Sequence, residues 1–256
     1  MQFAGPAGHY DRFMGRYTPS LAVALADAAR VSAGMRVVDV GCGPGGLAAE
    51  LAARVGAENV AAIDPAAQFA DACRERIPGA DVREGVAEDL PWPDATFDAA
   101  LSSLVIGFMR DADRGVSEMT RITRPGGTVA ACMWDLAGGG MTMLHYFWEA
   151  VREVDPGAEG ERRMAGTQEA DIADRLRSAG LQDIASGVLT ASANYADFED
   201  FWVPLTFGVG PSGQHLQSLP DHQRAAVRDA LRAKLPEGPF SLEGRAWYAQ
   251  GTVPSR

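Results

Sequence analysis

The sequence predicts a doubly wound α/β fold, in which strands and helices alternate along the chain. Three observations carry that expectation. Short runs rich in β-branched residues, Arg36–Val40 and Val60–Ile63 among them, are followed by segments whose apolar residues recur at helical spacing. The first run ends in Gly41-Cys42-Gly43-Pro44-Gly45-Gly46, a loop almost free of side chains that opens into a helical pattern at Leu47, Leu51 and Val55. The second run ends in an acid, Asp64, roughly 20 residues beyond the glycines.

Taken in order, an irregular opening segment precedes a helix over Pro19–Val31. Strands follow at Arg36–Val40, Val60–Ile63, Asp81–Glu84, Phe97–Ser103 and Thr128–Trp134, with helices between them. The helix after Asp64 uses Phe69 and Cys73 at i,i+4. Another runs from about Asp111 to Arg124, where Arg124-Pro125-Gly126-Gly127 stops it and turns into the fifth strand. Ile172, Leu176 and Ala179 give a further amphipathic helix closed by Gly180, and Leu181–Leu189 and Phe240–Val253 are the last two strands. The whole of 1–256 reads as one domain, with a helical N-terminal cover at 1–35 and a cofactor-binding core at 36–134. Two cap insertions, 135–165 and 193–237, exceed the minimal sheet. The first leaves from the carboxyl end of a strand, so it is placed to roof a ligand pocket. Its Gly138-Gly139-Gly140 run reads either as a hinge or as an ordinary turn.

The glycine loop lets a ligand lie against bare backbone at a helix N-terminus, and Asp64 suits the two hydroxyls of a ribose. Together they describe a nucleoside-cofactor site. Gly41, Gly43 and Gly46 also satisfy the dinucleotide fingerprint, which leaves a nucleotide-dependent oxidoreductase open. Asp39 points elsewhere: inside the strand end, its carboxylate would repel a pyrophosphate and hold a cation.

Downstream come Gly85-Val86-Ala87-Glu88-Asp89-Leu90-Pro91-Trp92-Pro93-Asp94-Ala95-Thr96-Phe97-Asp98, the apolar Ala99–Val105, and Arg124-Pro125-Gly126-Gly127-Thr128. In this order, from about Arg36 to Trp134, the segments resemble the class I S-adenosylmethionine-dependent methyltransferases, particularly the branch related to quinone-biosynthesis C-methyltransferases. The resemblance implies a Rossmann-like, seven-stranded, mostly parallel sheet whose last strand is antiparallel and inserted between its predecessors. It also implies S-adenosyl-L-methionine as cofactor. The loop amides around Gly41, Cys42 and Gly43 would meet its carboxylate, and Asp39 its ammonium. Asp64 would hold the ribose with Pro65 beside it, Ala87 would offer its N–H to the adenine, and Ser103 would contact the methionine part. The family places an acid directly after the glycine at position 85; here Val86 stands there, and Glu88 is the candidate replacement acceptor. Tyr10, in the opening Tyr10-Asp11-Arg12-Phe13-Met14-Gly15-Arg16-Tyr17, resembles the family's leading segment and would cover the cofactor or substrate.

The net charge of −11 disfavours a nucleic-acid partner. Three cysteines without a Cys-x-x-Cys pair argue against a disulfide framework, and four scattered histidines against a metal site. Met1–Gly15 lacks an apolar signal core and no apolar run nears membrane-spanning length, so a cytoplasmic protein without membrane insertion is expected. Composition sets no oligomeric state. Arg224, Arg228 and Arg232, opposite Val227, Leu231 and Leu235, read as a solvated helix face.

For the acceptor, Met141, Met143, Leu144, Phe147 and Trp148 in the first insertion and Phe198, Phe201, Trp202 and Phe207 in the second form either a pocket wall or the insertions' own core. His145 is the candidate catalytic base for a hydroxyl or amine, with an ordinary helix histidine as the competing account. Ser102-Ser103-Leu104-Val105 stands where base-modifying nucleic-acid methyltransferases carry an Asn-Pro-Pro-Tyr-type motif. The function expected is in-line methyl transfer to a small apolar or aromatic organic acceptor. A catalytically silent S-adenosylmethionine-binding module is the alternative.

Overall fold

The computed structural model describes residues 6–161 and 163–255. The first five residues of the predicted cover, and Arg162 in the first insertion, lie outside the described residues.

Seven strands form one sheet: β1 (Val37–Val40), β2 (Val60–Asp64), β3 (Asp81–Glu84), β4 (Phe97–Ser103), β5 (Thr123–Trp134), β6 (Gln182–Tyr195) and β7 (Phe240–Thr252). Their order is β3-β2-β1-β4-β5-β7-β6. The first five run parallel, and β7 is antiparallel to both β5 and β6, between which it lies. Every residue of β1 and β2 is buried, in keeping with runs that are apolar except for Asp39, one residue before the end of β1, and Asp64, which ends β2. Helices cover the sheet: α1 (Ala7–Phe13), α2 (Thr18–Ala28), α3 (Gly46–Val55), α4 (Ala67–Arg76), α5 (Ala112–Ile122), α6 (Thr142–Val154), α7 (Asp171–Ser178), α8 (Phe198–Leu205), α9 (Gly210–Ser218) and α10 (Asp221–Lys234).

Three expectations are corrected, and one of the two readings of the triple glycine is favoured. The opening segment is not irregular; it forms α1 and a 3-10 turn at Met14–Arg16. The helix expected to reach Arg124 ends at Ile122, where Thr123 already pairs with Phe97. Ala99 next pairs with Thr128, so residues 124–127 bulge out of the ladder where Pro125 has no N–H to donate. Strand β6 runs six residues past the expected Leu189, because Ala191, Ala193 and Tyr195 are buried alternately with exposed neighbours. The triple glycine is a packed turn rather than a hinge: Gly138 N–H donates to Asp135 Oδ1 at 2.8 Å, and a Cβ at Gly140 would meet the Asp135 carboxylate and Arg245.

The N-terminal elements dock on the second insertion. His9 stacks on Phe207 at 4.1 Å, and Arg16 pairs with Asp200, lies 4.9 Å over the Tyr195 ring and donates to the Asn194 carbonyl at 3.1 Å. Tyr17 is wholly buried, its hydroxyl 3.2 Å from that of Tyr195. The arginine stripe of α10 is a staple as well as a solvated face, since Arg228 and Arg232 both pair with Glu199 and lie over Phe198. Among the described residues, no helix is long and apolar enough to cross a membrane.

Candidate functional site

Strand order reverses between β1 and β4, and a doubly wound sheet takes its ligand in the crevice beyond the strand ends at such a point. A cavity of about 970 Å3 opens there, and each residue nominated from sequence for the cofactor lines it.

Asp39, near the end of β1, is only 1% exposed, and neither carboxylate oxygen has a hydrogen bond of normal geometry. Burial pushes the carboxyl up to about 8; the nearby N–H of Ala48 on α3 opposes that rise, and Asp64 adds to it. A buried, unpartnered acid of this kind is costly unless a cation meets it.

The loop after β1 is knitted to β2. Gly41 and Cys42 both donate to the Ile63 carbonyl, at 2.8 and 3.0 Å. Gly41 has φ +80°, and a side chain there would run into Val105. Gly43, at φ +51°, differs: a Cβ would meet nothing within 4 Å, so the chain presents bare backbone to open space. Its N–H donates to Asp64 Oδ2 at 2.9 Å, and the Ala66 N–H donates to Oδ1 at 2.9 Å. Burial raises the Asp64 carboxyl above its ordinary range, with those two amides pulling the other way. The amides of Gly41, Cys42 and Gly43, expected to meet the ligand's carboxylate, are thus engaged within the protein. Gly46 and Leu47, in the first turn of α3, line the cavity beside them.

Pro65 stands two residues before α4. Beyond β3, Val86 is 38% exposed and Ala87 is buried. The Glu88 carboxylate accepts from the N–H groups of Arg110 and Asp111 through Oε1, at 2.7 and 3.2 Å, which ties its loop to the start of α5. One oxygen of the proposed adenine acceptor is therefore committed. Ser103 closes β4 with Oγ 3.5 Å from Cys132 Sγ, and Leu104 follows at φ +64°, a left-handed geometry that a leucine rarely adopts. Tyr10 on α1 meets Phe69 edge-on at 5.7 Å. Burial first, then the Asp64, Asp11 and Asp39 carboxylates, push its phenol upward and keep it neutral. The Cys42 thiol is likewise pushed up, chiefly by its hydrogen bond with Cys73 and then by burial, so it is no nucleophile.

His145 does not line the cavity; its Nε2 lies 3.5 Å from Glu149 on the same helix, and the base role is withdrawn. The aromatic clusters are likewise mostly insertion core. Phe147 meets Trp148 and Phe198 stacks on Trp202, whereas only Leu144 of the nine nominated residues reaches the cavity. The apolar wall comes instead from Phe13, Met14, Met133, Trp134 and Leu136.

Three polar residues on that side escaped sequence reading. Glu161 is 6% exposed, with Oε2 accepting from Trp148 Nε1 at 2.9 Å. Burial pushes its carboxyl up to about 7, against the Trp148 hydrogen bond. Ser212 Oγ and Trp134 Nε1 are buried without hydrogen-bond partners. Among the described residues, no cluster of metal-ligating side chains occurs.

Residues 38–131 match the family model described as "Methyltransferase domain". Over those residues the chain is similar to methyltransferase domains. Over 151 residues, 58% of this chain and 57% of the relative, the sequence is 34% identical to a malonyl-[acyl-carrier protein] O-methyltransferase of Pectobacterium atrosepticum. It is 40% identical over 112 residues to the chloroplastic 2-methyl-6-phytyl-1,4-hydroquinone methyltransferase 2 of Oryza sativa subsp. japonica, covering 43% of this chain and 32% of that one. The matches thus span between 32% and 57% of these two curated relatives' own lengths. In fold, an S-adenosylmethionine-dependent methyltransferase of Thermotoga maritima superposes with TM-score 0.54 at 19% identity, covering 96% of this chain and 98% of that one. The matched residues contain β2, the glycine loop, Asp39 and Asp64, whereas Glu161 and Ser212 lie beyond them.

Proposed function

We propose that the protein transfers a methyl group from S-adenosyl-L-methionine to a small, apolar or aromatic organic acceptor. The observation that carries this reading is the single cavity that joins bare Gly43 backbone and two buried acids to an apolar wall at Met14, Met133 and Trp134. The residues fit the cofactor: Asp39 has two orphaned oxygens for an ammonium, and Asp64 stands at the mouth of the loop for a ribose. When bound, S-adenosyl-L-methionine supplies an electrophilic methyl group on a sulfonium. The protein's part is to align the acceptor and exclude water, which the apolar wall and the α1 cover suit. Val86, Ala87 and Ser103 would line the nucleoside and methionine ends, with Tyr10 above them. The hydroquinone methyltransferase among the relatives is consistent with a flat, greasy acceptor.

Release of S-adenosylhomocysteine from pooled small-molecule acceptors tests the reading. Turnover is expected with the native chain and its loss with Gly43→Trp, which fills the open space beside the loop. S-adenosylmethionine binding without turnover on broad pools would favour a silent binding module, and preferential NAD(P)H binding in a calorimeter would favour an oxidoreductase.

A further inference from the structure

We propose that Glu161 receives the acceptor: its carboxylate accepts a hydrogen bond from an acceptor hydroxyl and takes that proton as the oxygen is methylated, so the substrate is a neutral, apolar phenol or alcohol. This rests on the methyltransferase reading and specifies the acceptor half of the same cavity.

Placement comes first. The segment carrying Glu161 packs against the carboxyl end of β5, where a Cβ at Gly166 would lie 3.0 Å from Met133 and one at Gly160 3.2 Å from the Trp148 ring. Strand β5 pairs with β4 through Ser103 and Cys132, so the segment that follows Glu161 meets the sheet at β5, on the far side of Ser103 from the strands carrying Asp39 and Asp64. The Trp148 N–H fixes Oε2, and Oε1 has no hydrogen bond among the described residues. Ser212, from the other insertion, brings a buried hydroxyl without a partner to the same cavity. A ligand hydroxyl can serve a group of either kind, donating to a carboxylate or accepting from a hydroxyl.

Charge then selects the class. Asp39, Asp64 and Glu161 are the cavity's buried charged groups, and all three are acids. Of the lining guanidinium groups, Arg76 is paired with Asp11 and Arg110 is exposed. A carboxylate acceptor would enter against three buried acids, whereas a neutral O–H finds an acceptor waiting. In the reaction the acceptor oxygen's electron pair forms the C–O bond, the methyl–sulfur bond leaves its pair on sulfur, and the hydroxyl proton passes to Glu161 Oε1. The cation on sulfur and the anion on Glu161 are discharged together. A carboxyl held near 7 by burial is matched to such a transfer.

The groups around Glu161 leave its titration separable. Glu159 and Arg163 pair with each other in solvent, α6 faces it through Trp148, and β5 contributes Met133. Helix α9 contributes Ser212 and His215, whose ring lies 5.2 Å from Trp148.

Calorimetric titration of 4-butylphenol and 4-butylbenzoate, with and without S-adenosylhomocysteine, tests the proposal. At pH about 8 the phenol is expected to bind about tenfold or more tightly than the benzoate. Its affinity should fall as pH drops through about 7, where Glu161 gains its proton. Glu161→Gln should abolish that pH dependence and weaken phenol binding about tenfold, with S-adenosylhomocysteine affinity unchanged. Benzoate binding as tightly as phenol, a pH-independent phenol affinity in the native chain, or no binding of either probe overturns the assignment. If phenol behaves as expected but S-adenosylhomocysteine does not bind, the cofactor reading fails and with it the proton transfer, while Glu161 keeps only its hydrogen bond to the hydroxyl.

Discussion

Asp64→Ala is expected to weaken S-adenosylhomocysteine binding by about 1.5–3 kcal/mol, roughly tenfold to a hundredfold or more, the scale of charged hydrogen bonds. Two losses combine. The ribose hydroxyls lose their acceptor, and the N–H groups of Gly43 and Ala66 lose the carboxylate that now holds the loop against β2. Asp64→Asn keeps one carbonyl oxygen and should fall between the native chain and the alanine variant. Calorimetry at fixed salt gives the affinities, and unchanged binding in the alanine variant means that the sugar lies elsewhere.

Asp39→Asn should move stability and binding in opposite directions. The Asp39 carboxyl titrates near 8 in the folded protein against an ordinary value of 3.8. Its folded value is raised, so the native chain is favoured below about 4 and loses stability as pH rises through about 8. Asparagine removes that loss. At pH 8 and above the ligand-free variant should gain about 1–3 kcal/mol, and a chain of this size melts roughly 2–4 °C higher per kcal/mol. At pH about 4 the two melting curves should converge. Affinity for S-adenosylhomocysteine should fall, because its ammonium loses a buried counter-charge. Melting curves across this range, paired with titrations, check both halves; a variant no more stable at pH 8 would mean that Asp39 is already compensated.

The cofactor half of the molecule was legible because its chemistry needs side chains to be absent or acidic at fixed places. Glycines at 41 and 43, and acids at or near the ends of β1 and β2, stand out in any apolar run. What those residues do to one another was not legible: Gly43 donating to Asp64 is a contact between segments that sequence spacing does not report. The acceptor half hid for a different reason. Glu161 lies in Asp155-Pro156-Gly157-Ala158-Glu159-Gly160-Glu161, a string that reads as a solvated loop, and only the Trp148 ring makes it an interior. Conversely, the large aromatic residues that invited a pocket reading, Phe147 and Phe201, are fully buried in the insertions. Their size serves packing, while other large residues, Phe13 and Trp134 among them, face the cavity. The missed length of β6 has a similar cause, since alternation between Ala and Ser or Thr carries little hydrophobic contrast.

The clasp of Arg16 on Asp200 and Tyr195 couples two walls that sequence separates by more than half the chain. Helix α1, which bears Tyr10, leads directly into the turn carrying this guanidinium, which holds the segment leading to α8, whose neighbour α9 carries Ser212. One clasp thereby fastens the wall bearing Tyr10 to the wall bearing Ser212, so loosening either is expected to loosen both.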